Sequence, residues 1–412
     1  MKTLFFNRGA DRAKCLRAKT GALCLLLVAV SACWGAKGLA AEWSLVPSLS
    51  TKAYYTDNLF LTQLPHDSTY GYWVSPGAEF SGKTERFEFN GKTAMDFVDL
   101  YGGEPSRYTN IFLPLTMKYR TAQDEWGFTG GFTRDNTLMG ELLATGLVIR
   151  FTQRNLWTVN PTWTHMITEK FGFQTTFQFN DATYQEGIRL GLLDYQVYGG
   201  SAGLLYKVTE QDEVQLSATY NNFRTATAPI GLQAYYPGAM LSVTHAFSEG
   251  LKATAYGGPR FVNSTTQFGG VSQSASDTIW VYGMSFSQKF QRTNLQVSLT
   301  RDIFPSGFGL LIKTDRIGAM ASYELTETLT ASFDAAGYTV AGVTNQANGG
   351  TLQEQRLFYL TPKLSWRFSE WWRVEASYSY RWRDVETFIE PVTSNTLMFL
   401  LTYYPPKLAI SN

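Results

Sequence analysis

Apolar and polar residues alternate with a period of two over most of the chain. In residues 86–97 one parity is mostly apolar, as at Phe87, and the other is mostly polar, as at Glu88. The same sorting recurs in residues 171–180 and 372–383. Successive side chains of a strand point to opposite faces, whereas a helix would mix these two sets. The pattern therefore predicts strands with one apolar and one polar face.

Eighteen such strands can be delimited in the sequence. They cover residues 44–58, 69–81, 85–100, 108–121, 125–138, 151–167, 171–184, 194–208, 213–226, 234–247, 251–265, 277–290, 294–304, 311–325, 329–342, 354–368, 372–386 and 395–405. Short polar turns alternate with longer Gly- and Asn-rich loops, which lie near 59–68, 101–107, 139–149, 185–193, 227–233, 266–276, 305–310, 343–353 and 387–394. If one weak segment, above all residues 138–155, is misassigned, the count falls to sixteen.

An even strand number with short turns on one side and long loops on the other is typical of outer-membrane proteins. The strands are also longer than the ~5–6 residues usual in soluble sheets. Lipid offers no hydrogen-bond partner for an open sheet edge, so the sheet must close. We therefore predict an all-β fold, a transmembrane antiparallel up-and-down β-barrel. Short turns and both termini face the periplasm, and longer loops face the exterior.

Two groups of residues refine this prediction. Aromatic residues near strand ends fit interfacial girdles, and they are Trp43, Tyr54, Tyr55, Trp126, Trp157, Trp163, Trp366, Trp371, Trp372, Tyr403 and Tyr404. Prolines remove a ladder hydrogen bond, so bulges or strand starts are expected at those inside strands. These are Pro47, Pro76, Pro114, Pro161, Pro237, Pro259 and Pro362.

The N-terminus has the organisation of an export signal. Basic residues precede a nine-residue apolar run, residues 22–30, and small residues follow up to Ala40 and Ala41. The run is too short for a spanning helix, which needs about 20 residues. We expect residues 1–40 to be a cleaved signal peptide and residues 41–412 to form one barrel domain. Lipoprotein processing at Cys33 is the alternative to cleavage after Ala40 or Ala41.

Removal of this leader changes the chemistry of the chain. All three cysteines lie in it, so the mature part has no disulfide framework. The mature chain has 28 basic and 33 acidic residues, and its net charge of −5 argues against nucleic acid as a partner. The three histidines, His66, His165 and His245, are too scattered for a metal site. No catalytic, cofactor-binding or metal-binding residue and no enzymatic activity is predicted.

Charged residues on the polar parity are the candidate functional residues. They would line the lumen of a barrel of about 16–18 strands, which leaves an aqueous channel unless loops fold inward. The pore-lining candidates are Arg86, Glu88, Lys92, Asp96, Lys118, Arg120, Lys363, Arg367, Arg373, Glu375, Arg381 and Arg383. Their mixed signs predict weak ion selectivity and suit hydrogen bonding to sugar hydroxyls. The alternative is that they pair across strands and only fill the interior.

Three segments resemble a known family. Residues 55–61 (YTDNLFL), residues 134–146 (RDNTLMGELLATG) and residues 160–163 (NPTW) are similar to strand and turn signatures of outer-membrane β-barrel proteins encoded beside exopolysaccharide-synthesis and PEP-CTERM-type loci. The resemblance covers the whole mature chain and implies a pore through which polysaccharide passes. The chain departs from large polysaccharide-secretion porins in lacking a helical-repeat periplasmic domain. It also ends in residues 407–412 rather than in a terminal aromatic residue.

Together these observations predict a porin-like channel in the outer membrane of a Gram-negative bacterium. Its expected partners are outer-membrane lipid and lipopolysaccharide, polysaccharide or small hydrophilic solutes, and periplasmic export components. One alternative is a structural or adhesive surface barrel without significant conductance. The other is an outer-membrane hydrolase. Bilayer conductance separates the first two functions.

Overall fold

The computed structural model describes residues 42–63, 66–103, 106–142, 151–225, 230–268, 271–343 and 353–411. The predicted signal peptide, with both cleavage positions and Cys33, lies outside these residues. Among the described residues no helix is long and apolar enough to cross a bilayer.

One antiparallel sheet of strand segments makes up the fold. The segments are β1 (Glu42–Thr56), β2 (Thr69–Lys83), β3 (Phe87–Tyr101), β4 (Ser106–Arg120), β5 (Asp124–Asn136), β6 (Gln153–Met166), β7 (Phe171–Tyr184), β8 (Tyr195–Lys207), β9 (Asp212–Thr225), β10 (Ile230–Tyr235), β11 (Gly238–Ser248), β12 (Leu251–Phe268), β13 (Val271–Lys289), β14 (Thr293–Pro305), β15 (Leu311–Glu324), β16 (Leu329–Gly342), β17 (Gln355–Trp366), β18 (Trp372–Val385), β19 (Val392–Tyr403) and β20 (Leu408–Ser411). A π-helical turn, Leu138–Leu142, and a 3-10 turn, Gly187–Leu190, lie between strands.

The sheet closes into a barrel of eighteen strands, because β1 pairs with both β2 and β19. β10 and β11 are two parts of one strand, since both pair with β12 in the same register. β20 continues the last strand and pairs with the start of β1. The predicted fold class and the count of eighteen are therefore confirmed, and the alternative of sixteen is wrong.

Two predicted loops are partly strand. β10 occupies much of the predicted loop 227–233, and β12 and β13 extend through most of 266–276. The upper part of this hairpin is rich in Ser, Thr and Gln on both faces, so it lacks the alternation on which the prediction relied. Side chains on both faces are polar because the hairpin rises beyond the apolar band of the barrel.

Prolines interrupt the ladder without shifting its register. At Pro114 two pairs are missing between β3 and β4, yet the register is the same on either side, and Pro114 still pairs with Gly131 of β5. Pro161 and Pro362 interrupt one neighbouring ladder in the same way. The expectation of bulges or strand starts is wrong at these positions. Only the ladder on the side of the missing N–H is lost, and the other ladder holds the strand.

The apolar parity of every strand lies on the outside of the barrel. Outward residues such as Leu299, Ile317 and Phe399 are exposed although they are large and apolar. Exposed aromatic residues surround the short-turn end of the barrel, and they include Tyr119, Trp126, Trp366, Trp371 and Trp372. A closed barrel with an apolar outer band and aromatic girdles is the architecture of the bacterial outer membrane, and the protein is located there.

Two of the predicted girdle residues face inward instead. Tyr54 contacts the inner-face Trp73, and the Tyr404 hydroxyl accepts a hydrogen bond from the inner-face Arg373. Tyr54 and Tyr55 are adjacent, so only one of them can point to lipid. In the sequence both are aromatic residues near the end of a strand, and only the register of the sheet shows which of them faces lipid.

A charged residue introduced on the outer face should lower the free energy of unfolding far more than the same residue introduced on the inner face. We expect Leu299→Arg to lower the free energy of unfolding by about 2–4 kcal/mol, because the residue lies at the middle of β14 on the lipid side. The matched control is Gln296→Arg, on the exposed inner face of the same strand. Denaturant unfolding in lipid vesicles, followed by tryptophan fluorescence, measures both. Equal losses for the two variants would contradict the assignment of faces.

Candidate permeation path

Most of the candidate pore-lining residues lie in strands on the parity opposite to the exposed apolar residues, and therefore on the inner face. These are Glu88, Lys92, Asp96, Lys118, Arg120, Lys363, Arg373, Glu375, Arg381 and Arg383. The assignment of Arg86 and Arg367 to strands is corrected. Arg86 lies in the turn before β3, and Arg367 follows the last residue of β17. The polar parity continues past the end of the backbone ladder, so the pattern overestimated these strands.

Several inner-face charges pair across neighbouring strands. Lys118 and Arg120 lie 2.7 and 2.9 Å from the carboxylate of Glu125, and Lys92 lies 2.8 Å from Glu79. Elsewhere Lys363 lies 3.7 Å from Glu375, Lys83 lies 3.9 Å from Glu88, and Ser75 donates to Asp96 at 2.7 Å. Sequence reasoning missed Glu79 and Glu125, because each pairing depends on the register between strands. The pairs are solvent-exposed, so each contributes little to stability.

Arg383 has a different environment from the other candidates. It is 6% exposed, and its guanidinium donates to Gln355 Oε1 at 3.0 Å and to the Leu61 carbonyl at 3.2 Å. The ring of Phe388 lies 5.4 Å from it. Arg383 therefore uses its hydrogen-bond donors within the protein, where they hold the long loop after β1 over the barrel.

Loops fold into the lumen at the long-loop end. Inner-face residues of β7 to β13, such as Val197, Phe223 and Val262, are fully buried rather than exposed to a water-filled interior. Leu192, from the loop after β7, belongs to the same cluster, and Phe308, from the β14–β15 connection, packs against it. The apolar loop residues therefore cover part of the barrel interior.

One carboxylate connects three of these inward segments. Glu141, in the π-helical turn, is 2% exposed and accepts a hydrogen bond from the Tyr184 hydroxyl at the end of β7. The Gly307 N–H, from the β14–β15 connection, lies 3.3 Å from both of its oxygens. Burial raises the pKa of Glu141, while the Tyr184 hydrogen bond and the Arg154 charge act in the opposite direction. This contact crosses the lumen, since β5 and β14 lie in different halves of the barrel.

Arg154 supplies the compensating charge for this cluster. Its guanidinium forms a bidentate pair with Asp135 at 3.0 and 2.7 Å, and Nη1 lies 3.9 Å from Glu141. All three side chains are nearly inaccessible, with exposures of 11% for Arg154, 7% for Asp135 and 2% for Glu141. We call Asp135, Glu141, Arg154, Tyr184 and Gly307 the cross-lumen cluster.

Glycines let the tip of the β14–β15 hairpin reach this cluster. A Cβ at Gly307 would lie 2.5 Å from the Tyr184 hydroxyl, so only glycine allows the close approach. Gly309 has φ +72°, a left-handed conformation that glycine adopts without strain. Its N–H donates to the Ser306 carbonyl at 3.0 Å, and the Leu193 N–H donates to Gly307 at 2.6 Å. The Ser-Gly-Phe-Gly sequence therefore shapes a turn that docks inside the barrel.

A second contact attaches the π-helical turn to the ends of the first and last strands. Leu138 packs with Phe60, Leu61 and Val392. Asn58 fixes the loop after β1, because its side chain bonds to Thr62 N and O at 3.1 and 2.9 Å and to the Thr393 carbonyl at 3.1 Å. The inward loops thus narrow the barrel at the long-loop end, while the short-turn half keeps exposed inner-face residues such as Lys92.

Next to the buried apolar residues that cover part of the interior, cations and aromatic rings lie together on the inner face of β15 to β18, β1 and β2. The Arg316 guanidinium lies 5.9 Å from the ring centroids of both Tyr338 and Tyr359, and it donates to the Tyr359 hydroxyl at 2.8 Å. Lys52 Nζ lies 4.8 Å from the Trp73 ring, which Tyr54 contacts edge-on. Arg381 lies on β18 between these two groups. We call Arg316, Tyr338, Tyr359, Arg381, Lys52 and Trp73 the cation–aromatic arc.

Two of the histidines form hydrogen bonds with carboxylates outside the lumen. His165 Nδ1 lies 2.9 Å from Asp124, and His245 Nδ1 lies 2.6 Å from Asp212, each at the short-turn end of the outer face. Within the described part of the chain no group of three or more His, Cys, Asp or Glu side chains could hold a metal ion.

No family model and no curated protein matches the chain. Pseudomonas aeruginosa OccK5 (OpdH) aligns with a TM-score of 0.39 and 14% identity, over 88% of this chain and 98% of that one. Pseudomonas aeruginosa OprD gives 0.42 and 11%, over 91% and 97%. The copper transporter OprC gives 0.44 and 12%, over 85% and 63%. At this level of similarity no function is transferred from them.

Proposed function

We propose that the protein is an outer-membrane channel for hydrophilic solutes, constricted by its own inward loops. The observation that carries this proposal is the combination of an apolar outer face with a charged, solvent-exposed inner face in an eighteen-strand barrel. Side chains alone do not fill a barrel of this size. Water and solutes then have a polar path from the short-turn end up to the constriction, with the candidate pore-lining residues on its wall.

Conductance in planar bilayers tests the channel. We expect the purified, refolded barrel to give stable unitary currents in potassium chloride, because the inner face offers charged groups that stabilise hydrated ions. Heat-modifiable migration on a gel, which reports closed barrels, is the control for folding. A folded barrel without conductance would contradict the proposal and favour the structural or adhesive surface barrel.

We further propose that the solute is an exported exopolysaccharide, delivered by periplasmic export components. The resemblance of residues 55–61, 134–146 and 160–163 to barrels of exopolysaccharide loci supports this cargo. Lipid and lipopolysaccharide would surround the outer face after the leader is removed. Deleting the gene should abolish secreted polysaccharide while periplasmic polysaccharide accumulates. Unchanged secretion would contradict export and leave solute diffusion as the function.

A further inference from the structure

We infer that the cation–aromatic arc is a binding site for an acidic saccharide, one whose sugar rings carry carboxylate groups. This inference rests on the proposed channel function and specifies what the channel binds. The arc lies on one side of the lumen, at the level just below the inward loops. Each of its residues is placed about four to five positions from the long-loop end of its strand, so a chain passing the constriction meets the whole arc.

The cations of the arc lack direct ion pairs with carboxylates of the described residues. Among the described residues, Arg316, Arg381 and Lys52 form no ion pair, although most inner-face cations at the short-turn end do. Three inner-face carboxylates lie near the arc, and each has a closer partner than an arc cation. Asp334 accepts a hydrogen bond from the Tyr359 hydroxyl, and Asp96 and Glu375 interact with Lys52 only at longer range. Asp96 accepts the Ser75 hydroxyl, and Glu375 pairs with Lys363. Guanidinium groups bind carboxylates with paired, charge-assisted hydrogen bonds. The arc therefore presents cationic donors that are available for direct ion pairs with an anion from outside the chain.

The aromatic rings favour a sugar over a small inorganic anion. Tyr338 and Tyr359 flank Arg316, and Trp73 lies under Lys52. Arg316 and Lys52 thus each stand beside a ring with an apolar face and a polar edge. Tyr338 is buried, but a sugar ring, with its apolar C–H faces and its rim of hydroxyl groups, can pack on the partly exposed rings of Tyr359 and Trp73 while its carboxylate meets the cation.

The rest of the wall at this level restricts the ligand to the arc. Across the lumen, inner-face positions such as Val197, Phe223 and Val281 are covered by the inward loops. They offer no hydrogen-bonding groups to a hydrated ligand. The side of the barrel from β15 to β2 is consequently the polar part of the wall just below the constriction.

Block of single-channel current by short saccharides tests the inference. Trigalacturonate should block the current, and maltotriose of the same length should block it much more weakly. In the double variant Arg316→Gln/Arg381→Gln the block constant for trigalacturonate should weaken by at least about tenfold, because two charge-assisted contacts are lost. The matched control is Arg107→Gln, which removes an outer-face cation already paired with Asp99. The variant Arg316→Lys/Arg381→Lys should retain part of the block.

The outcomes separate this inference from the channel itself. The folded protein could conduct while both trisaccharides block the current equally, or while the double variant is blocked like the parent protein. Either result would overturn the inference about the cation–aromatic arc and leave the proposed channel function intact. A folded protein without current refutes the proposed function, and the inference with it. Weakened trigalacturonate block in the double variant, with normal conductance and normal block in Arg107→Gln, supports the acidic saccharide.

Discussion

Replacing Arg154 by methionine is expected to destabilise the barrel by about 3–5 kcal/mol, because it leaves Asp135 and Glu141 buried without their cation. Methionine keeps much of the side-chain volume, so the loss reflects charge rather than a cavity. Denaturant unfolding in vesicles gives the free energy. The same variant should conduct with frequent transitions between current levels, since the cross-lumen cluster fixes the π-helical turn and the hairpin tip together.

The control for Arg154 is Arg107→Met. Arg107 lies 2.6 Å from Asp99, but its side chain is 79% exposed, so its ion pair should contribute less than about 1 kcal/mol. A further variant, Arg154→Met/Asp135→Asn/Glu141→Gln, removes the stranded charges and should recover much of the stability. If Arg154→Met unfolded like the parent protein, the buried carboxylates would not depend on the guanidinium, and the cluster would not hold the constriction.

The strands of the barrel wall could be predicted from the sequence because the alternation of apolar and polar residues is visible within each strand. A strand facing lipid on one side and water on the other must alternate, and the short polar turns mark where each hairpin reverses. The alternation is lost above the membrane, where Ser272 to Ser276 of β13 face water on both sides. The length of the β12–β13 hairpin was therefore missed.

The constriction could not be predicted because its contacts join residues distant in sequence. Glu141 and Gly307 are 166 positions apart, and the segment 134–146 that contains Glu141 does not indicate its partner. The available signal was apolar residues in predicted loops, such as Leu192 and Phe308. These are out of place in loops exposed to water. The prediction that a loop could fold inward left open which one, and the register of the whole barrel determines which loops meet.

The roles of individual charged residues could be assigned only once the register between the strands was known. Arg381 and Lys363 were indistinguishable in the sequence, as basic residues on the polar parity of neighbouring strands. Among the residues that the structure describes, Lys363 forms an ion pair with a carboxylate and Arg381 forms none. Pairing across strands thus separates cations that neutralise the interior from those available to a ligand.

Shortening the β14–β15 hairpin should widen the channel. The variant replaces residues 306–310 by Asn-Gly, a two-residue turn that can join the paired Pro305 and Leu311. It removes Gly307 from Glu141 and Phe308 from the apolar cluster. We expect unitary conductance to rise by about twofold or more, because current through a water-filled barrel increases with its open cross-section.

The control variant for this deletion replaces residues 389–390 by Gly-Ser, where Ile389 is 95% exposed and contributes nothing to the apolar cluster. Its conductance should equal that of the parent protein. Unchanged conductance after the hairpin deletion would mean that the tip does not limit the current, and the constriction would then be attributed to Leu138 and its contacts near the first strand. A rise in conductance accompanied by weaker trigalacturonate block would show more: the hairpin would not only narrow the lumen but also hold the passing chain against the arc.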